Sequence, residues 1–297
     1  MRSRLSGHTH LAVLLGLVVA ICVGTFQTVG AGGRILVVGH GPERPVVQDL
    51  ARAFEKAHPG SIVDLEWDRV LDTIEMVKNG QADIAVDGTD DPALESIQIA
   101  WDGVAIIVNF TNPLLDVSTQ QAQSLFTGKL AQWSDLDGAD KRVEVIRRTS
   151  DQNIQEGFEQ TLGISGQMVA GDRVARPDQK ALASVSGRDN AISYVSLKSA
   201  LEAQELGVPI RILTIDQVEP GDPTIKNGRY KLRRPVLFLS KPEAHPVVRA
   251  FTEFALSPEG QRILSTMYTG YDRPAAPAVP AQAKPSRTRP AGARPAG

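Results

Sequence analysis

Apolar residues recur along the chain at two spacings, one typical of buried strands and the other of amphipathic helices. Residues 34–38 form a short apolar run that predicts a buried strand. The segment 45–58 places Val46, Leu50 and Phe54 at helical spacing and predicts a helix. The same patterns predict strands at 62–67, 82–86, 98–109, 143–147, 191–195, 210–215 and 235–239, and helices at 71–79, 119–126, 154–162, 179–186 and 246–267.

Strands and helices alternate in this prediction, which favours an α/β fold built on a parallel sheet. The final helical stretch contains Pro258, which lacks the N–H that a helix interior needs. We therefore expect two helices that meet at Ser257 and Pro258, with the proline in the first turn of the second helix.

The first 31 residues have the pattern of a secretory signal peptide. Arg2 and Arg4 precede an apolar run at 11–23, and small residues at 29–31 offer a cleavage site near Ala31. The run is shorter than the roughly 18 to 20 residues that span a bilayer, which makes an uncleaved anchor the weaker alternative. We expect a protein that is periplasmic or otherwise exported, without stable membrane insertion after cleavage.

The chain has one cysteine, Cys22, and it lies inside the predicted signal peptide. The bulky Ile21 before it argues against lipidation, since a lipoprotein site needs a small residue there. Cleavage would leave no cysteine, and hence no disulfide, thiol nucleophile or cysteine metal site.

The other end of the chain, 274–297, is composed almost entirely of Ala, Pro, Gly and basic residues. Such a segment cannot build a core, so we predict a disordered tail. An electrostatic tether to anionic envelope material is the alternative. Without the two ends the body has 34 acidic and 26 basic residues, a charge of about −8, which argues against a nucleic-acid partner.

Several strings resemble one family. The most specific is LFTGKLAQWSDL at 125–136; the others are WDGVAIIVN at 101–109, AISYVS at 191–196, YKLRRPVLFL at 230–239 and FALSPEGQ at 254–261. In this order they resemble the substrate-binding proteins of phosphate ABC transporters, the PstS-like periplasmic binding proteins.

The resemblance implies a type II periplasmic binding protein fold, with two α/β lobes joined by a two-crossover hinge. The first lobe would comprise 32–112 and a return segment at 233–273, and the second lobe 113–232. A small anion would lie between the lobes. The implied partner is an ABC permease, and we expect a monomer without a cofactor.

By the same resemblance, the ligand would meet loops of both lobes. Arg148 falls on the family arginine, and the candidate ligand-binding residues are Arg148, Ser150, Asp151, Gln152, Asn153, His40, Gly41, Trp67, Arg69, Thr89 and Asp90. Alternatives stay open: Arg148 as an arginine that braces the lobes, Trp67 as a cover for the core edge, and His40 and Asp90 as solvated loop residues.

The loops depart from the family pattern in ways that bear on the ligand. Pro42 has no N–H to donate, and Glu43 adds a negative charge beside the expected anion. Gln152, Asn153 and Ile154 stand where the family has Ser-Gly-Thr. These changes predict weak binding of phosphate itself.

The sequence contains no nucleophile elbow, no phosphate-cradling Gly-Lys-Ser/Thr loop and no metal-ligand cluster. We therefore expect a binding protein and not an enzyme. The leading hypothesis is an exported solute-binding protein of an ABC importer. The alternative is a PstS-like binding module that acts in the envelope as a sensor or scaffold without transport.

Overall fold

The computed structural model of the chain describes residues 32–68, 70, 72–148, 152–169, 171–174 and 178–272. The predicted signal peptide and the predicted tail lie outside these residues. Among the described residues no helix is both long enough and apolar enough to cross a membrane.

The described chain contains both strands and helices. The strands are β1 (Arg34–Gly39), β2 (Ile62–Trp67), β3 (Ile84–Asp87), β4 (Glu95–Asn109), β5 (Asp116–Val117), β6 (Glu144–Arg148), β7 (Asp172–Val174), β8 (Ala191–Ser196), β9 (Ile210–Ile212), β10 (Thr214–Ile215), β11 (Arg233–Ser240) and β12 (Thr269–Gly270). The helices are α1 (Arg44–Ala57), α2 (Thr73–Lys78), α3 (Thr119–Phe126), α4 (Gln152–Leu162), α5 (Asp178–Ser186), α6 (Leu197–Glu205), α7 (Asp222–Lys226), α8 (Pro246–Leu256) and α9 (Pro258–Leu264).

The predicted break in the last helix is confirmed. Helix α8 ends at Leu256, and the Ser257 side chain accepts a hydrogen bond from Gly260 N at 3.2 Å. Pro258 opens α9, where its missing N–H leaves no hydrogen bond unmade.

The strand predicted at 210–215 is two strands. β9 pairs with β4, whereas β10 pairs with β5 in a separate two-stranded sheet. Leu213 lies between them, and its side chain is fully buried. The chain changes partner strand at this residue, which an apolar pattern alone does not reveal. Helices α6 and α7 were also missed; α6 follows β8 directly, with no Gly or Pro to mark the junction.

The sheet is mixed, so the prediction of a parallel sheet is wrong. Its order is β2-β1-β3-β11-β4-β8-β6-β7, with β12 and β9 also paired to β4. β1 is parallel to β2 and β3, and β6 is parallel to β7 and β8. β11 is antiparallel to both β3 and β4, and β4 is antiparallel to β8. Two long antiparallel strands, β4 and β11, thus join two parallel groups.

Buried apolar residues form separate cores on the two sides of these crossing strands. The first core includes Ile35, Leu50, Phe54, Phe238 and Phe251. The second core includes Ile106, Phe126, Phe158, Tyr194 and Tyr230. We call the elements packed on these cores the first lobe and the second lobe.

The change from one core to the other falls within the crossing strands. Along β4, Ala100 packs in the first core and Val104 in the second. On the return, Leu232 packs in the second core and Val236 in the first. The exact residue limits of the lobes stay a prediction.

The parallel groups determine where a site can form. β1, β2 and β3 end at Gly39, Trp67 and Asp87, and β6 and β8 end at Arg148 and Ser196. Ligands of open α/β folds bind outside the carboxyl ends of such strands.

Candidate ligand-binding cleft

Trp67 is the last residue of β2, and its side chain is held in one orientation. Its indole Nε1–H donates to the carbonyl oxygen of Gly41 at 2.8 Å, and the side chain is half-buried. The ring passes so close to Gly39 that a Cβ there would stand 2.4 Å from ring carbons. Glycine at the end of β1 is therefore required by the ring. Trp67 packs against the edge of the first core while one part of it remains accessible.

Asp87 organises the loop after β3. Its Oδ1 accepts hydrogen bonds from the backbone N–H groups of Gly88 at 2.7 Å and Thr89 at 3.0 Å. Its Oδ2 lies 3.8 Å from His40 Nε2 and 3.5 Å from Thr73 Oγ1. Asp87 was not among the predicted ligand residues, although a carboxylate directly after a buried strand was a signal that could have identified it.

Asp90, in the same loop, is exposed and accepts a hydrogen bond from the Ser96 hydroxyl. Thr89 is also exposed and contributes its backbone N–H to Asp87. Of the candidates on this loop, neither side chain lines the cavity that contains Arg148.

Arg148 ends β6, and its side chain is almost completely buried. Its Nη1 donates to Asp178 Oδ1 in an ion pair. The other oxygen of Asp178 accepts from Ser196 N at 3.2 Å. A buried arginine needs such a counter-charge, and here the second lobe supplies it at the first residue of α5.

Five of the candidate residues cannot be placed in the cleft by their side chains. Ser150, Asp151 and Arg69 lie outside the described residues. Gln152 and Asn153 begin α4, but their side chains also lie outside the described part. For these five positions the ligand-binding assignment stays a prediction.

A cavity of about 430 Å³ lies where loops of the two lobes meet. It brings together three of the predicted residues, Gly41, Trp67 and Arg148. Its other lining residues are Pro42, Arg44, Pro45, Asp178, Gln179, Ser199 and Met267.

Next to this cavity lies a buried group of charges that the sequence did not predict. Arg234 Nη2 donates to Glu43 Oε1 at 2.6 Å and lies 2.9 Å from Asp102 Oδ2. Asp102 Oδ1 accepts from the Ser196 hydroxyl at 2.8 Å. Glu43 is completely buried, so the expectation that its charge faces the ligand is wrong. Arg234 binds that carboxylate instead.

Burial raises the pKa of the Asp102 carboxyl to about 6, although the charge of Arg234 and the hydrogen bond from Ser196 oppose the shift. The neighbouring charge of Glu43 adds to it. On α4, partial burial and the charge of Asp87 raise the pKa of Glu156. Neither Asp102 nor Glu156 was among the residues predicted from the sequence. Within the described residues, no group of three or more His, Cys, Asp or Glu side chains could hold a metal ion.

A family model described as a PBP superfamily domain matches residues 27–259. The chain belongs to this superfamily of periplasmic binding proteins. The two-lobe α/β fold and the PstS-like resemblance predicted from sequence are confirmed.

Relatives of this PBP superfamily protein are phosphate-binding proteins by name. Phosphate-binding protein PstS 2 of Streptococcus agalactiae serotype V is 30% identical over 117 residues, which is 37% of this chain and 40% of the relative. That match therefore spans less than half of the relative's length. Phosphate-binding protein PstS of Bacillus subtilis is 22% identical over 252 residues, which is 80% of this chain and 79% of the relative.

The same fold is present in a solved structure. An ABC-type phosphate transport receptor from Vibrio cholerae superimposes with a TM-score of 0.69 at 21% identity, covering 80% of this chain and 100% of the receptor. At that identity the similarity shows the fold and leaves the ligand to be argued from the cleft.

Proposed function

We propose that the chain is an exported solute-binding protein that holds a small anion between its lobes and delivers it to an ABC permease. The observation that carries this proposal is the meeting of Gly41 and Trp67 from the first lobe with Arg148 from the second across one cavity. A cavity lined from both lobes, beside two crossing strands, suits a protein that closes around a solute.

The proposal assigns binding and no chemical step. The PBP superfamily consists of binding proteins, and the relatives are named for binding phosphate. Arg148 is an almost completely buried cation that lines the cavity, and charge-assisted hydrogen bonds from arginine are strong and directional. We assign it the role of charge partner for the ligand, sharing its guanidinium with Asp178.

The test is calorimetry and thermal shift on the exported protein with phosphate, sulfate, molybdate, phosphonates and organic acids. Arg148→Ala alone would leave the mostly buried Asp178 without its counter-charge, so the better variant is the pair Arg148→Met with Asp178→Asn. It removes both charges together and should abolish binding while the protein stays folded.

A matched control is the exposed ion pair of Lys141 and Asp189, also in the second lobe. Lys141→Met with Asp189→Asn should leave anion binding unchanged. The proposal is wrong if no anion binds, or if a bound anion is retained at full affinity after removal of Arg148 and Asp178.

A further inference from the structure

The cavity between the lobes contains a rigid aromatic wall. The Trp67 ring is held at one point by the hydrogen bond from Nε1 to Gly41 O and at another by its close approach to Gly39. An aromatic side chain that is already held in place loses little conformational entropy when a ligand packs on it. Trp67 is thus a preorganised surface for a planar group.

The walls around Trp67 are mostly apolar. Pro42, Pro45 and Met267 line the same cavity from the first lobe, and Met267 also packs against the first core. A volume of about 430 Å³ with apolar walls and a few polar groups is typical of sites for organic ligands, for which about 300 to 1,000 Å³ is usual.

The hydrogen-bonding groups of this wall do not suit a wholly polar ligand. Pro42 has no N–H, and the N–H of Trp67 already donates to Gly41. Arg148 shares its Nη1 with Asp178. Against Pro42 and Trp67, a dehydrated inorganic oxyanion would leave oxygen lone pairs without donors, and each such loss is costly. An apolar group on the ligand would have no such requirement.

The charges on the cavity lining favour a ligand that carries one negative charge. Arg44 is exposed at the first position of α1, and Arg148 lies on the opposite lobe. Among the described residues of the lining, Asp178 is the one acidic residue. Two cations and one anion leave a single positive charge.

We propose that this cavity binds an organic anion whose planar apolar ring packs on Trp67 and whose carboxylate or phosphate group faces Arg44 and Arg148. This inference rests on the proposed function. The ring gains apolar contact with Trp67 and Met267. The acidic group meets the net positive charge of the lining.

The experiment uses calorimetry on the exported protein with two matched pairs of probes, benzoate against acetate and phenyl phosphate against methyl phosphate. Inorganic phosphate serves as the reference. We expect the ring-bearing member to bind at least about tenfold more tightly in at least one pair, because stacking and apolar burial both favour it. Comparison of the two pairs tells which acidic group the site prefers.

Trp67→Ala should remove this advantage of the ring, and Trp67→Phe should retain most of it. Trp101→Ala is the control, because Trp101 is also half-buried but packs under the Arg233 guanidinium at 3.8 Å, outside the cavity lining. Should Trp67→Ala fail to fold, Trp67 fluorescence can be measured alone in the Trp101→Phe, Trp133→Phe background. Quenching of that fluorescence by phenyl phosphate would show that the ring packs on Trp67, and a lack of quenching would contradict it.

Equal affinities within both pairs, or a ring advantage that survives Trp67→Ala, would overturn the inference. In that case the proposed function still stands if inorganic anions bind in an Arg148-dependent manner. If none of the anions binds, the proposed function fails and the inference fails with it.

Discussion

Asp102 and Arg234 face each other directly across the two crossing strands, β4 and β11. Arg234 donates through Nε at 3.0 Å to the same carboxylate oxygen that its Nη2 approaches at 2.9 Å. The guanidinium also reaches Glu43 at the start of α1, and Asp102 reaches Ser196 at the end of β8. One buried arginine thereby connects both crossing strands with elements of both lobes.

The first prediction concerns the balance of charge in this group. Arg234→Met would leave two buried carboxylates, Glu43 and Asp102, without their cation, and should destabilise folding by about 3–5 kcal/mol. Glu43→Gln keeps a carbonyl acceptor for Arg234 and leaves Asp102 as its charge partner, so its cost should stay below about 1.5 kcal/mol. Urea unfolding of both variants measures the difference; equal costs would show that Glu43 is not held as described.

The second prediction concerns pH. Burial raises the pKa of Asp102 to about 6 in the folded protein, whereas an unfolded aspartate has a pKa of about 3.9. Between these values the folded state binds the proton and the unfolded state does not. The stability that Asp102 contributes therefore falls as pH rises from about 4 to 6, by roughly 3 kcal/mol at most.

The measurement is the difference in unfolding free energy between the unmodified protein and Asp102→Asn at pH 4.5 and 7.5. The unmodified protein should become less stable relative to the variant as the pH rises. Asp216→Asn is the control: its hydrogen bonds from Thr119 lower the pKa of Asp216, so its contribution is lost only below about pH 4. An unmodified protein that becomes more stable relative to Asp102→Asn as the pH rises would contradict the prediction.

The sequence predicted much of the fold because periodicity reports which side of an element is buried. The α8–α9 break followed from Pro258, and the two-lobe arrangement from a family resemblance. The direction of β11 did not follow, because an apolar strand reads the same whether its neighbour is parallel or antiparallel. The mixed sheet depends on where the chain crosses, which no local pattern encodes.

The sequence predicted some residues of the candidate site but not the charged residues that pair with them. Arg148, Gly41 and Trp67 do line one cavity. The partners Asp178 and Arg234 could not be inferred, since the contact between Glu43 and Arg234 joins residues 191 positions apart. Tertiary packing determines which buried charges come into contact. That contact decides whether the charge of Glu43 repels a ligand or is neutralised within the protein.

The third prediction concerns Gly157, inside α4. Alanine normally stabilises a helix interior by up to about 1 kcal/mol relative to glycine. Here a Cβ would stand 2.9 Å from Arg234 Cδ, closer than packed atoms allow, so Gly157→Ala should instead destabilise by about 1–3 kcal/mol. Gln160→Ala, exposed on the same helix, should change stability by less than about 0.5 kcal/mol. A Gly157→Ala protein that melts higher than the unmodified one would refute the packing of Arg234 against α4.

The fourth prediction separates stability from binding at Arg148. Arg148→Ala leaves Asp178 with the Ser196 N–H but no cation, and should destabilise folding by about 3 kcal/mol. Arg148→Met with Asp178→Asn removes both charges and should recover most of that loss. A double-mutant cycle of Arg148→Met, Asp178→Asn and the double variant, measured by urea unfolding, gives the coupling, expected to be about 1.5 kcal/mol or more. Additive single effects would mean that the ion pair does not contribute.

The last prediction concerns inorganic phosphate. A dehydrated dianion needs a donor for nearly every oxygen lone pair, and each unmatched contact costs about 1–3 kcal/mol. Pro42 offers no N–H, the Trp67 N–H is bound to Gly41, and Arg148 is shared with Asp178. Two or three such losses weaken binding by roughly two to six powers of ten relative to a fully matched site, so calorimetry should find phosphate dissociation constants above the micromolar range. Pro42→Ser restores an N–H and adds a hydroxyl to the cavity wall, and it should tighten phosphate binding about tenfold. Submicromolar affinity in the unmodified protein, or no gain from Pro42→Ser, would show that phosphate is held by donors other than this wall.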